Sequence, residues 1–142
     1  MSTVELTFSP LPAHVRTARL IATAVARRGG VEESILDEVR LAVGEACSRA
    51  VEAHRLNCPE EPVQLELHDV GGRFEVVVTD TVPDDEVGST PGGLTEVPAQ
   101  AEAGDGMANL GLAVISGLAD DVEVTSTSSG VRIRMSWPTK QP

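Results

Sequence analysis

Tyrosine is absent from the 142-residue chain, and Phe8, Phe74 and Trp137 are its only aromatic residues. A core must therefore be built from Val, Leu, Ile and Ala. The surface also lacks the aromatic platforms on which single-stranded nucleic acid stacks. Cations are scarce too: 11 basic residues face 22 acidic ones, for a net charge of −11, and Lys140 is the only lysine. A field of that sign repels phosphate backbones, so direct nucleic-acid binding is not expected. Cys47 and Cys58 are the only cysteines. They form no C-x-x-C pair and have no histidine cluster to complete a zinc site. Cys47 reads as a small buried hydrophobe. The longest apolar stretch, Leu20 to Ala26, is interrupted by Thr23 and falls far short of the ~20 residues of a membrane span. No cationic leader follows Met1, so a reduced, cytoplasmic protein without a membrane partner is expected.

What is present is globular. The hydrophobic fraction is 41%, and the length suits one compact domain over residues 1–142. Val4 to Phe8 alternate as a half-buried strand does. Pro10 and Pro12 then suit a helix start. Val15, Ala18, Ile21, Ala22 and Val25 recur at helical spacing up to Gly29-Gly30. A second helix begins after Val31 with Glu32, Glu33 and Asp37 near its positive end. Its expected buried stripe is Ile35, Val39, Ala42, Val43, Ala46 and Ala50.

Asn57, Cys58, Pro59 and Pro62 mark a connection to two alternating strands around Gly71-Gly72, a hairpin signal. Residues 83–106 carry prolines, glycines, six carboxylates and no cation, the composition of a flexible loop or ligand lid. A short helix from Leu110 to Leu118 and a last hairpin around Ser128-Ser129-Gly130 close the chain. The order β, α, α, β, β, loop, α, β, β predicts an α+β fold. It is a two-layer sandwich, a mixed or antiparallel sheet with helices on one face.

Four segments carry a resemblance: Leu41 to Val51, Asp80 closing a strand, Asn109-Leu110-Gly111-Leu112-Ala113-Val114-Ile115 opening a helix, and Leu118 to Glu123. With the element order, they make the chain similar over nearly its whole length to the GHKL (Bergerat-fold) ATPases. Within these it resembles the anti-sigma-factor serine kinases. The resemblance implies ATP bound between the sheet and the long helix. It also implies phosphorylation of a serine on a STAS-domain anti-anti-sigma partner, alternating with capture of a sigma factor, and a homodimer.

Carried over by residue, the resemblance makes Glu45 the general base toward an incoming hydroxyl. It makes Asp80 the reader of the adenine amino group, and Asn109, Leu110 and Gly111 part of a phosphate loop. Arg16 stands where a partner-contacting arginine is expected, with Arg19 as its near competitor. Three positions depart. Arg49 replaces the magnesium-binding asparagine, and a guanidinium offers donors only, so it cannot ligate a metal. Val82 replaces a glycine beside the purine. Val131 replaces a threonine that would support Asp80.

Glu45 and Arg49 are also spaced for an ordinary helical ion pair. The sharper reading has Arg49 supply, without metal, the charge that magnesium would have supplied.

The expectation is therefore a degenerate anti-sigma-type regulator. It works by partner switching with a STAS-domain protein or a sigma factor, without kinase activity. It needs no cofactor, its cleft is open to ATP or another nucleotide, and it does not hold magnesium. One alternative is an active serine kinase with a metal site rebuilt from Glu45 and Asp80. A second is a sensor of a nucleotide-like anion bound without magnesium.

Overall fold

The computed structural model describes residues 2–83 and 112–140. Their element order is β1 (Ser2–Phe8), α1 (Pro12–Arg28), α2 (Glu33–Asn57), β2 (Val63–Val70), β3 (Arg73–Thr79), a helical turn pair α3 over 112–118, β4 (Asp121–Thr127) and β5 (Gly130–Pro138). The strands form one sheet in the order β1-β2-β3-β5-β4, and every neighbouring pair is antiparallel. Of the two sheet types expected, the antiparallel one is realised. The predicted loop at 83–106 lies outside the described residues except for Pro83.

Register aligns the apolar alternation of all five strands on one face. Val4, Leu67, Val76, Met135 and Val122 form one transverse row, and Leu6, Leu65, Val78, Ile133 and Val124 the next. The opposite face carries Glu5, Glu66, Val77, Arg134 and Glu123 in one row. There Arg134 bonds both Glu75 and Glu123. The helices cover the apolar face because that alternation leaves water only there to be displaced.

Helix α1 starts with Pro12 in its first turn and ends in a Schellman cap. Gly30 has φ 102°, its N–H donates to Arg27 O, and Val31 N–H donates to Ala26 O at 3.0 Å. Its buried residues are Val15, Ala18, Ala22 and Ala26; Ile21 and Val25 are half-buried. In α2 the buried residues are Leu36, Val39, Ala42, Val43, Gly44, Ala46, Cys47, Ala50, Val51 and His54. Ile35, expected among them, is only half-buried, and Leu36 takes its place. From Val39 a step of three leads back to Leu36 and a step of four to Ile35, and core packing buries the former. Gly44 lies at the α1–α2 seam, where an added Cβ would sit 2.6 Å from Arg19 Cδ. The glycine thus lets the Arg19 stem lie across α2.

Two short approaches lock the ends of the sheet. Gly71 and Gly72, at φ 63° and 77°, make the tight β2–β3 turn. Beyond β5, Thr139 N–H donates to Gly72 O and Lys140 N–H to Gly30 O, while Trp137 Nε1 donates to Leu118 O. At the other end Gly130 has φ 144°, and a Cβ there would lie 2.0 Å from the Asp80 carbonyl oxygen.

Gly130→Ala therefore meets both a strained backbone and a direct clash. We expect a loss of about 2–3 kcal/mol in urea denaturation. Burial also pushes the Cys47 thiol up to about 12. At pH 8 a thiol alkylating reagent is expected to modify half-exposed Cys58 and spare Cys47 until the protein unfolds, as read by mass spectrometry of the peptides.

Candidate functional site

Asp80 immediately follows β3 and is almost wholly buried, at 2% exposure. A carboxylate without water must find donors inside the protein. Oδ1 accepts the Val82 N–H at 2.9 Å and the Val131 N–H at 3.3 Å. Oδ2 accepts Arg49 Nη1 at 3.1 Å, and the Arg49 side chain is itself 13% exposed. The Asp80 N–H donates in turn to Val131 O. Three elements thus meet on one side chain: the end of β3, the start of β5 and the middle of α2.

This corrects the expected helical ion pair. Arg49 bridges to Asp80 and not to Glu45 one turn earlier; Glu45 is half-buried and makes no hydrogen bond or ion pair among the described residues. An exposed i,i+4 pair contributes only ~0.2–0.5 kcal/mol. A buried carboxylate attracts a guanidinium far more strongly through a medium of low dielectric. The missing threonine at Val131 also has a different consequence from the one its side chain implies. The main-chain N–H of that residue reaches Asp80, so the carboxylate is supported without a hydroxyl.

The site fits magnesium poorly. Arg49 stands at the ligand position, offers donors only, and engages the carboxylate next to it. An adenine amino group would meet an Asp80 whose two oxygens already accept from Val82, Val131 and Arg49. Asn109, Leu110 and Gly111, the expected phosphate loop, lie outside the described residues.

Arg16 and Arg19 come together. Both line an open cleft of about 370 Å³ between α1 and α2, with Pro12, Val15, Ser48, Val51 and Glu52. Glu52 is engaged by Arg55 at 3.1 Å on the exposed side of α2.

Sequence reading gave no role to His54, which is fully buried at the end of the α2 stripe. Its Nδ1 lies 2.7 Å from Glu61 O, and its Nε2 accepts the Thr81 N–H at 3.0 Å. The signal was the spacing: His54 continues the stripe four residues past Ala50. A polar residue on an apolar face must be hydrogen-bonded.

Removing one partner of the Arg49–Asp80 pair strands the other. Arg49→Met is expected to cost about 3–5 kcal/mol in urea denaturation. Adding Asp80→Asn is expected to recover part of that loss, because it removes the orphaned charge while its amide oxygen still accepts from Val82 and Val131.

Comparison with known proteins agrees with the fold. The family described as the histidine kinase-like ATPase domain matches residues 8–137. No curated protein matches by sequence. Among solved structures, one neighbour comprises the RsbU and RsbW domains of Rv1364c from Mycobacterium tuberculosis. It has a TM-score of 0.70 at 14% identity, over 100% of this chain and 34% of that one. This chain therefore spans about a third of that protein. A second neighbour is in the SiaB–SiaC complex from Pseudomonas aeruginosa, with a TM-score of 0.67 at 11% identity over 94% of this chain and 88% of that one. Identities this low establish the shared fold, and the match over residues 8–137 establishes more: this chain belongs to the histidine kinase-like ATPase domain family.

Proposed function

We propose that this protein is a partner-switching regulator that binds another protein and does not transfer phosphate. The observation that carries this reading is the Arg49–Asp80 contact, at 3.1 Å between Nη1 and Oδ2. It puts a cation where a magnesium ligand is needed, against the carboxylate that would accept an adenine amino group. Holding a partner needs shape and a few anchoring groups, and neither magnesium nor a nucleophile. The α1–α2 cleft with Arg16 and Arg19 supplies such anchors, and guanidinium groups are favoured at protein interfaces. The partner we assign is a STAS-domain anti-anti-sigma protein, with a sigma factor as the competing ligand. The neighbours in complexes and multidomain chains, SiaB–SiaC and the RsbU and RsbW domains, support a regulatory setting of that kind.

Binding to a purified STAS-domain protein, measured by calorimetry, is expected without nucleotide and is expected to be unchanged by ATP with magnesium. Radiolabelled ATP is expected to leave the partner unlabelled. Arg16→Glu combined with Arg19→Glu should weaken the complex at least about tenfold, as reversal of interface charges does. Phosphate transfer that disappears in Glu45→Ala would instead identify an active kinase. Stabilisation by ATP or ADP without magnesium would identify an anion sensor.

A further inference from the structure

His54 lies outside the partner cleft and does not touch the Arg49–Asp80 pair, yet it holds the residue next to Asp80. Its ring is fully buried, and Nε2 faces the Thr81 N–H at 3.0 Å. A main-chain N–H can only donate, so Nε2 is the accepting nitrogen. The ring proton therefore sits on Nδ1, where Glu61 O receives it at 2.7 Å. The neutral ring satisfies both neighbours. An imidazolium has two donors, and one of them would point at another donor.

We propose that His54 is a proton-sensitive positioning residue, a clasp that holds the Asp80-Thr81-Val82 turn when neutral and releases it when protonated. Each main-chain N–H of that turn is bonded: Asp80 N–H to Val131 O, Val82 N–H to Asp80 Oδ1, and Thr81 N–H to His54 Nε2. Only in the third is the acceptor a ring nitrogen that becomes a donor when it takes up a proton.

The groups around the ring give the protonated state somewhere to go. From the 58–62 connection, the Glu61 carboxylate accepts the Thr81 hydroxyl at 2.8 Å, and the Cys58 thiol lies 3.8 Å from the same oxygen. That hydroxyl is 3.4 Å from Nε2. From the end of β3, the Asp80 carboxylate is turned to Arg49 and two amides. On α2 itself, Glu52 and Arg55 pair with each other on the exposed side. A proton on Nε2 thus redirects the ring from the Thr81 N–H to the Thr81 hydroxyl. The Glu61 carboxylate, one oxygen further on, balances the new charge, and the Thr81 amide is left without its acceptor. The clasp is closed on the basic side and open on the acidic side. The inference goes beyond partner binding and holds whether or not the cleft takes a nucleotide.

Amide hydrogen exchange of the full chain tests it. Rates for Thr81 are corrected for intrinsic exchange and compared with Val77 inside β3, between pH 8 and pH 5. Protection at Thr81 is expected to fall by about tenfold relative to Val77, the upper range of one hydrogen bond's contribution. His54→Gln keeps a neutral acceptor and donor, so its Thr81 protection should be independent of pH. Glu61→Gln should move the wild-type transition to lower pH, because it removes the charge that balances the imidazolium. Unchanged Thr81 protection in the wild type, a His54→Gln profile that tracks the wild type, or a Glu61→Gln transition that does not move would each overturn the proposal.

Discussion

A carboxylate with almost no access to water sits at the end of the central strand, and the surrounding structure is organised to satisfy it. Asp80 gathers two main-chain amides and one guanidinium. Each donor comes from a different part of the chain, so meeting the demand of one side chain fixes three elements at once. Leaving any of those acceptor sites empty would cost more than the bond itself contributes, because desolvation of the charge would go uncompensated. Gly130 makes the arrangement reachable, since any side chain there would strike the Asp80 carbonyl.

The same constraint shapes the cleft. A fold used for nucleotide chemistry relies on an acceptor for the base and oxygen ligands for a cation. Here an arginine from the middle of α2 donates to Asp80. Most of α2 is unaffected by that change. Its small residues still pack under α1, and its outer side still meets Arg16 and Arg19 across an open cleft. Docking draws on surface geometry and charge rather than on a metal. The last turn of α2 adds a second contact to the end of β3, through His54 and Thr81. One helix therefore braces both residues that follow the central strand.

Much of the architecture was legible in the chain because it rests on local periodicity. Alternation in Val63 to Leu67 and in Phe74 to Val78 specified two strands, and Gly71-Gly72 specified the turn between them. Spacing of small apolar residues specified both long helices. Legibility failed where two elements had to meet. The choice between Ile35 and Leu36 on α2 is a rotation of one residue, set by packing in the core. Arg49 has an acid one turn away in sequence, and local spacing alone pairs it there. Val131 reads as the loss of a hydroxyl, although its main-chain N–H does the work of one. His54 reads as a scattered histidine, although it is buried between two main-chain groups.

By itself, then, the order of residues determined the elements, the layer they form and the departure of Arg49 from a metal-binding residue type. These follow from side-chain chemistry and from periods of two and of three to four residues, which are properties of a short stretch of chain. Only the tertiary structure decided that Arg49 belongs to Asp80, that Gly130 must be bare, and that His54 must accept a hydrogen bond. Each of these depends on which distant atoms share a space without water, and long-range packing alone sets that.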